Sequence, residues 1–71
     1  MSKPEWLERV CIERDELQGK VNKLKEFMAT TNFTDLNETN KDLLHKQIVF
    51  MREYLETLNM RIVANSSLTV G

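Results

Sequence analysis

Trp6, Lys20, Lys23 and Lys25 are the residues of this chain whose types and spacing best suit chemistry with a ligand, and that chemistry is capture. An indole offers a flat apolar face to a base or to a partner ring, and ammonium groups pair with phosphate. Trp6 lies in the first turns of a helical stretch, flanked by Glu5, Leu7 and Arg9. A ring there serves either as a packing anchor or as a stacking platform. The lysines form a basic cluster that Lys41 and Lys46 extend. Between Lys20 and Lys46 five cations face four acids, so this end is only mildly positive. Gly19 adds a third signal, because a glycine inside a helix costs about 1 kcal/mol relative to alanine. Close approach of another helix or of a ligand would account for it; so would a neutral substitution with no role.

Catalytic groupings are absent. His45 is the one histidine and Cys11 the one cysteine, too few for a His/Cys metal cluster within one chain. Cys11 falls beside the helical seam, where it reads as a small buried hydrophobe and not as a nucleophile. Gly19 and Gly71 are the only glycines, and they cannot build a phosphate-cradling loop. Glu13, Asp15 and Glu16 point to successive sides of a helix and do not converge. Glu5–Arg9, Glu16–Lys20, Asp42–Lys46 and Arg52–Glu56 stand at salt-bridge spacing and read mostly as a solvated face. No enzyme, no metal and no cofactor is expected. A net charge of −1 argues against a grip on long nucleic acid through many phosphates. It leaves room for a small anion held by a few cations.

The elements that must position these residues are two long heptad helices. Leu7, Val10, Leu17, Val21, Leu24 and Met28 step at three and four residues, with Arg14 filling a gap. Leu44, Ile48, Met51, Leu55, Leu58 and Ile62 repeat the rhythm. Outside these seams stand Trp6, Cys11, Ile12 and Phe27, then Leu43, Val49, Phe50 and Tyr54. A two-helix hairpin can bury one seam only, and a hairpin of 71 residues holds a small core. The second apolar set therefore predicts association with further copies.

Ser2 and Glu5 have the spacing of a capping box, with Pro4 in the first turn. The first helix is expected over about 4–28, a loop over about 29–37 and the second helix over about 38–64, with Asn37 as its cap. Phe33 and Leu36 should plug the closed end, and 65–71 reads as a frayed tail. The chain is expected to be all-α, one antiparallel hairpin assembling into a compact helical homo-oligomer. The N-terminus has no apolar signal region, no segment approaches membrane-spanning length, and one cysteine suits a reducing cytoplasm.

Trp6 and Lys20 are two heptads apart on one stripe, roughly 21 Å along the helix. No small ligand touches both in one chain. If hairpins pack antiparallel, the open end of one meets the middle or closed end of the next. A ring from one subunit and lysines from another then frame a pocket suited to a nucleobase carrying a phosphate.

Pro4-Glu5-Trp6-Leu7-Glu8-Arg9-Val10 leads into Glu13-Arg14-Asp15-Glu16-Leu17 and Lys20-Val21-Asn22-Lys23-Leu24-Lys25-Glu26-Phe27. The second half runs Leu43-Leu44-His45-Lys46-Gln47, Met51-Arg52-Glu53-Tyr54 and Leu58-Asn59-Met60-Arg61-Ile62. Over residues 4–63 this resembles the hairpin domain of the phage anti-CBASS sponges, shared with sponges that defeat Thoeris defence. Ordinary coiled coils share the apolar steps but not the E-x-x-L, K-L-x-x-F, L-L-x-x-Q, M-x-x-Y and L-x-x-R-I patterns in this order.

The resemblance implies a homohexamer that captures cyclic nucleotide signals without degrading them, in the cytoplasm of an infected bacterium. It implies cyclic dinucleotides such as cyclic GMP-AMP between protomers, an N-terminal aromatic stacking on the bases and a first-helix lysine on the phosphates. Trp6 matches the aromatic and Lys20 the lysine, with Lys23 the alternative; Arg9 neighbours the ring. Some sponges hold cyclic trinucleotides at a separate site, through an arginine late in helix two and a hydroxyl. Arg61 matches the arginine; at the position assigned to the hydroxyl this chain departs from the family, with Asn22 or Lys25 there instead, so Thr30 or Thr31 would have to supply it. The competing class is a small helical bundle that binds RNA or serves a structural assembly.

Overall fold

The computed structural model describes residues 4–66. Helix α1 spans Glu5–Met28, a single turn α2 spans Thr31–Thr34, and α3 spans Glu38–Ala64. There is no strand among the described residues. The two long helices run antiparallel along a rod measuring 51 × 15 × 14 Å, with Arg14 of α1 facing Asn59 of α3 across the pair and Phe33 of α2 meeting His45 of α3 at the closed end.

The heptad spacing accounts for the core. Leu7, Val10 and Val21 of α1 pack against Ile48, Leu55 and Leu58 of α3, and all six are buried. Leu7 and Leu58 are fully enclosed, each worth about 1.5–3 kcal/mol of burial. Leu17, Leu24, Met28, Leu44, Met51 and Ile62 are half-buried at the seam margins. Arg14, where the apolar pattern breaks, is satisfied without a partner charge across the seam. Its Nη1 donates to Asn59 Oδ1 at 3.0 Å, and its Nε pairs with the Asp15 carboxylate at 2.6 Å.

The connection is tighter than a plain loop. Thr30 caps α2: its hydroxyl accepts from the Phe33 N–H at 3.4 Å and donates to the Phe27 carbonyl at 2.6 Å. That turn drives Phe33 into the end of the hairpin, where its ring meets Phe27 and His45 edge-on at 6.2 and 5.5 Å. Leu36 is half-buried beside it. Asn37 caps α3 by accepting from the Asn40 N–H at 2.8 Å. At the other end Pro4 occupies the N-cap of α1 and makes no side-chain cap bond. The capping residue expected there, Ser2, lies outside the described residues, as does 67–71 of the expected tail. No helix among the described residues is long and apolar enough to cross a membrane.

The second apolar set finds no cover within the hairpin. Trp6, Ile12, Leu43, Val49, Phe50 and Tyr54 are all exposed, and Met60 and Val63 join them. Cys11 and Phe27 are half-buried. A surface this rich in large apolar groups is unusual for a chain that stays alone.

Candidate functional site

Heptad geometry divides the rod's outer surface into two flanks, one on each side of the seam. The first flank is fixed by a contact between the long helices, a hydrogen bond from the Tyr54 hydroxyl to the Glu13 carboxylate. Trp6 and Lys20 stand one heptad before and one heptad after Glu13, so they share its stripe. Arg61 stands one heptad beyond Tyr54 on α3. Its positive charge acts on the Tyr54 hydroxyl, opposing the effect of Glu13. The hydrogen bond to Glu13 is the largest influence and holds the Tyr54 phenol above its ordinary range, with desolvation and then the Glu13 charge adding to it. The result is an exposed band carrying two rings, two cations and one occupied carboxylate.

The candidate residues fall on this framework unevenly. Trp6 is 45% exposed near the open end, so its indole is not absorbed into the core. Arg9, one turn on, is exposed and tied to Glu5 at 2.6 Å; at such exposure the pair adds little stability. Of the four ion pairs expected from spacing, this one alone is formed among the described residues. Lys20 and Lys23 are exposed toward the closed end. Arg61 is exposed and level with the first turns of α1, since α3 returns antiparallel. Thr30 lies at the opposite end of the rod, with its hydroxyl engaged in the α2 cap; Thr31 beside it is exposed. Thus Trp6, Arg9 and Arg61 gather at the open end, while Lys20, Lys23 and Thr30 stay away from them within one chain.

Sequence reasoning passed over Glu13 and Tyr54 as a pair. Tyr54 was legible as surplus apolar surface and as part of the M-x-x-Y pattern, and Glu13 as one of several scattered acids, but nothing joined the two. Their 41-residue separation carries no local signal. Gly19 is not explained within the hairpin. A Cβ built on it meets nothing within 4 Å, so packing inside the hairpin does not require glycine there. No group of three or more His, Cys, Asp or Glu residues suited to a metal occurs among the described residues.

The fold and this band define a class: a helical hairpin with an exposed ring-and-cation surface. The chain belongs to the Sequestin family, whose model matches residues 4–64. It is similar to an uncharacterized 7.5 kDa protein from the denB-rIIB intergenic region of Enterobacteria phage T4. The two are 35% identical over 54 residues, covering 76% of this chain and 84% of the phage protein. No solved structure matches the chain significantly.

Proposed function

We propose that this chain is a phage-encoded sponge that binds host cyclic oligonucleotide signals and withholds them from CBASS effectors without cleaving them. The family's name denotes sequestration, and the relative is a phage protein. The observation that carries the reading is the exposed stripe on which Trp6 and Lys20 flank the Glu13–Tyr54 contact. Trp6 stacks on a base of a cyclic dinucleotide such as cyclic GMP-AMP, with Arg9 beside it. Lys20 of a neighbouring protomer, or Lys23, pairs with the phosphates. The roughly 21 Å between Trp6 and Lys20 along α1 requires that the two come from different chains. Arg61 and Thr30 lie at opposite ends of the rod, so a trinucleotide site built from them also takes two copies. The uncovered Ile12, Phe50 and Leu43 side chains supply the contacts that assemble a homohexamer.

Capture needs no reaction. A sponge in excess and tighter than the effector holds free ligand below the activating level by mass action. Base stacking of about 1–3 kcal/mol per base and charge-assisted bonds of about 1.5–3 kcal/mol each suffice for nanomolar binding after association costs. In the infected bacterial cytoplasm that depletion would silence the defence.

Incubation with cyclic GMP-AMP should remove the free ligand, and heat denaturation of the protein should return it intact by chromatography. Recovery of linear dinucleotide or mononucleotides would overturn the sequestration reading. Gly19 gives a separate check on assembly. Gly19→Ala adds about 1 kcal/mol of helix propensity, yet we expect it to weaken the oligomer, because the added methyl obstructs a neighbouring chain. A raised urea midpoint with unchanged assembly would remove Gly19 from the interface.

A further inference from the structure

The flank opposite the Trp6 stripe carries a groove of its own. Near the closed end the last turns of α1 and the first half of α3 border an open, shallow groove of about 440 Å³, with Lys25, Met28 and Ala29 on one side and His45, Ile48, Val49 and Arg52 on the other. Its floor is apolar, formed by Met28, Ile48 and Val49. Its rim carries a cation from each helix and no acid. Neither Lys25 nor Arg52 is in an ion pair among the described residues, although Glu56 stands within helical reach of Arg52. The His45 ring is held edge-on to buried Phe33 at 5.5 Å. One side of this exposed ring thus rests on the plug of the hairpin.

We propose that this groove binds a nucleoside phosphate. The two cations come from separate helices and line one groove, and their long side chains would converge on an anionic group bound in it. The Arg52 guanidinium offers the forked donor geometry that matches phosphate oxygens, and Lys25 adds a compact charge. Met28, Ile48 and Val49 give a floor for the face of a base, and the imidazole of His45 supplies a polar edge at the rim. A volume of this order is at the small-molecule scale. The groove is shallow, which suits a flat base better than a bulky three-dimensional body. The site is distinct from the proposed cyclic dinucleotide pocket, because Lys25 and Arg52 lie on the flank away from Glu13, Tyr54 and Lys20.

Adenosine 5′-monophosphate is the probe, followed by backbone amide shifts of the assembled, full-length protein. Saturable shifts should appear at Ala29, His45, Val49 and Arg52, with adenosine alone and inorganic phosphate alone each binding more weakly. Arg52→Gln, an exposed change that keeps helix propensity, should weaken the nucleotide by about tenfold or more. Lys25→Gln should act in the same direction, and Trp6→Ala should leave this titration unchanged. Val49→Asp provides a second variant that blocks the floor without removing a cation, and it should abolish the shifts. The proposal is overturned by absence of saturable shifts up to millimolar nucleotide. Shifts confined to the Trp6 stripe, or wild-type affinity in both Arg52→Gln and Val49→Asp, would overturn it equally. Because the probe is a linear mononucleotide, its failure leaves the cyclic dinucleotide titration, and with it the sequestration reading, to stand or fall separately.

Discussion

Trp6→Ala is expected to leave the oligomer assembled and to collapse affinity for cyclic GMP-AMP. The indole is 45% exposed and the seam beneath it is closed by Leu7 and Val10, both buried. Its removal therefore costs the fold little and the ligand a stacking face worth about 1–3 kcal/mol per base. Lys20→Ala, or Lys23→Ala if that lysine makes the contact, should weaken binding through a lost phosphate contact. That loss should shrink at high salt, where screening already blunts the wild-type interaction. Mixing the variants gives the decisive measurement. Oligomers formed from Trp6→Ala and Lys20→Ala subunits should regain part of the dinucleotide binding, because one chain brings the ring and its neighbour the lysine. If subunits exchange and mixing restores nothing, the pocket between chains is wrong and Trp6 is a packing anchor.

Light scattering at micromolar concentration should report a hexamer, or at least a tetramer, and Phe50→Asp should dissociate it. Phe50 is 58% exposed and Ile12 54% exposed on the isolated hairpin, and burying a side chain of this size is worth about 1.5–3 kcal/mol. Placing a carboxylate there removes that gain and adds a desolvation cost at every symmetry-related contact. Because Phe50 takes no part in the buried seam, the helical circular dichroism per residue should change little. A folded monomeric wild type at the same concentration would overturn the assembly and, with it, the two-chain pocket.

The helical seam was legible from spacing alone. Three-and-four steps of Leu, Val, Ile and Met select one stripe of each helix, and those residues are the buried and half-buried ones. Arg14 shows why a break in that rhythm need not break the core: a long side chain reaches Asn59 and keeps its charge at the edge. The chain reversal was legible too, since Asn37 and the Thr/Asn-rich stretch before it favour caps and turns. That this stretch winds a full turn at Thr31–Thr34 was not legible, because one turn of helix carries too few residues to show a period.

For the candidate site, the sequence by itself determined which groups are available: one indole, a handful of cations, and more apolar surface than a hairpin can hide. Only the tertiary structure decided how that inventory is shared between the two flanks. A heptad pattern gives each helix its inward face but says nothing about the register of one helix against the other. That register is set by the connection, through the Thr30 cap and the Phe33 plug. It brings Tyr54 onto Glu13 beside the stripe of Trp6 and Lys20, and it places Lys25 and Arg52 along one groove on the opposite flank. A contact between residues 13 and 54 has no local trace in the chain, because it depends on how the hairpin closes and not on what stands beside either residue.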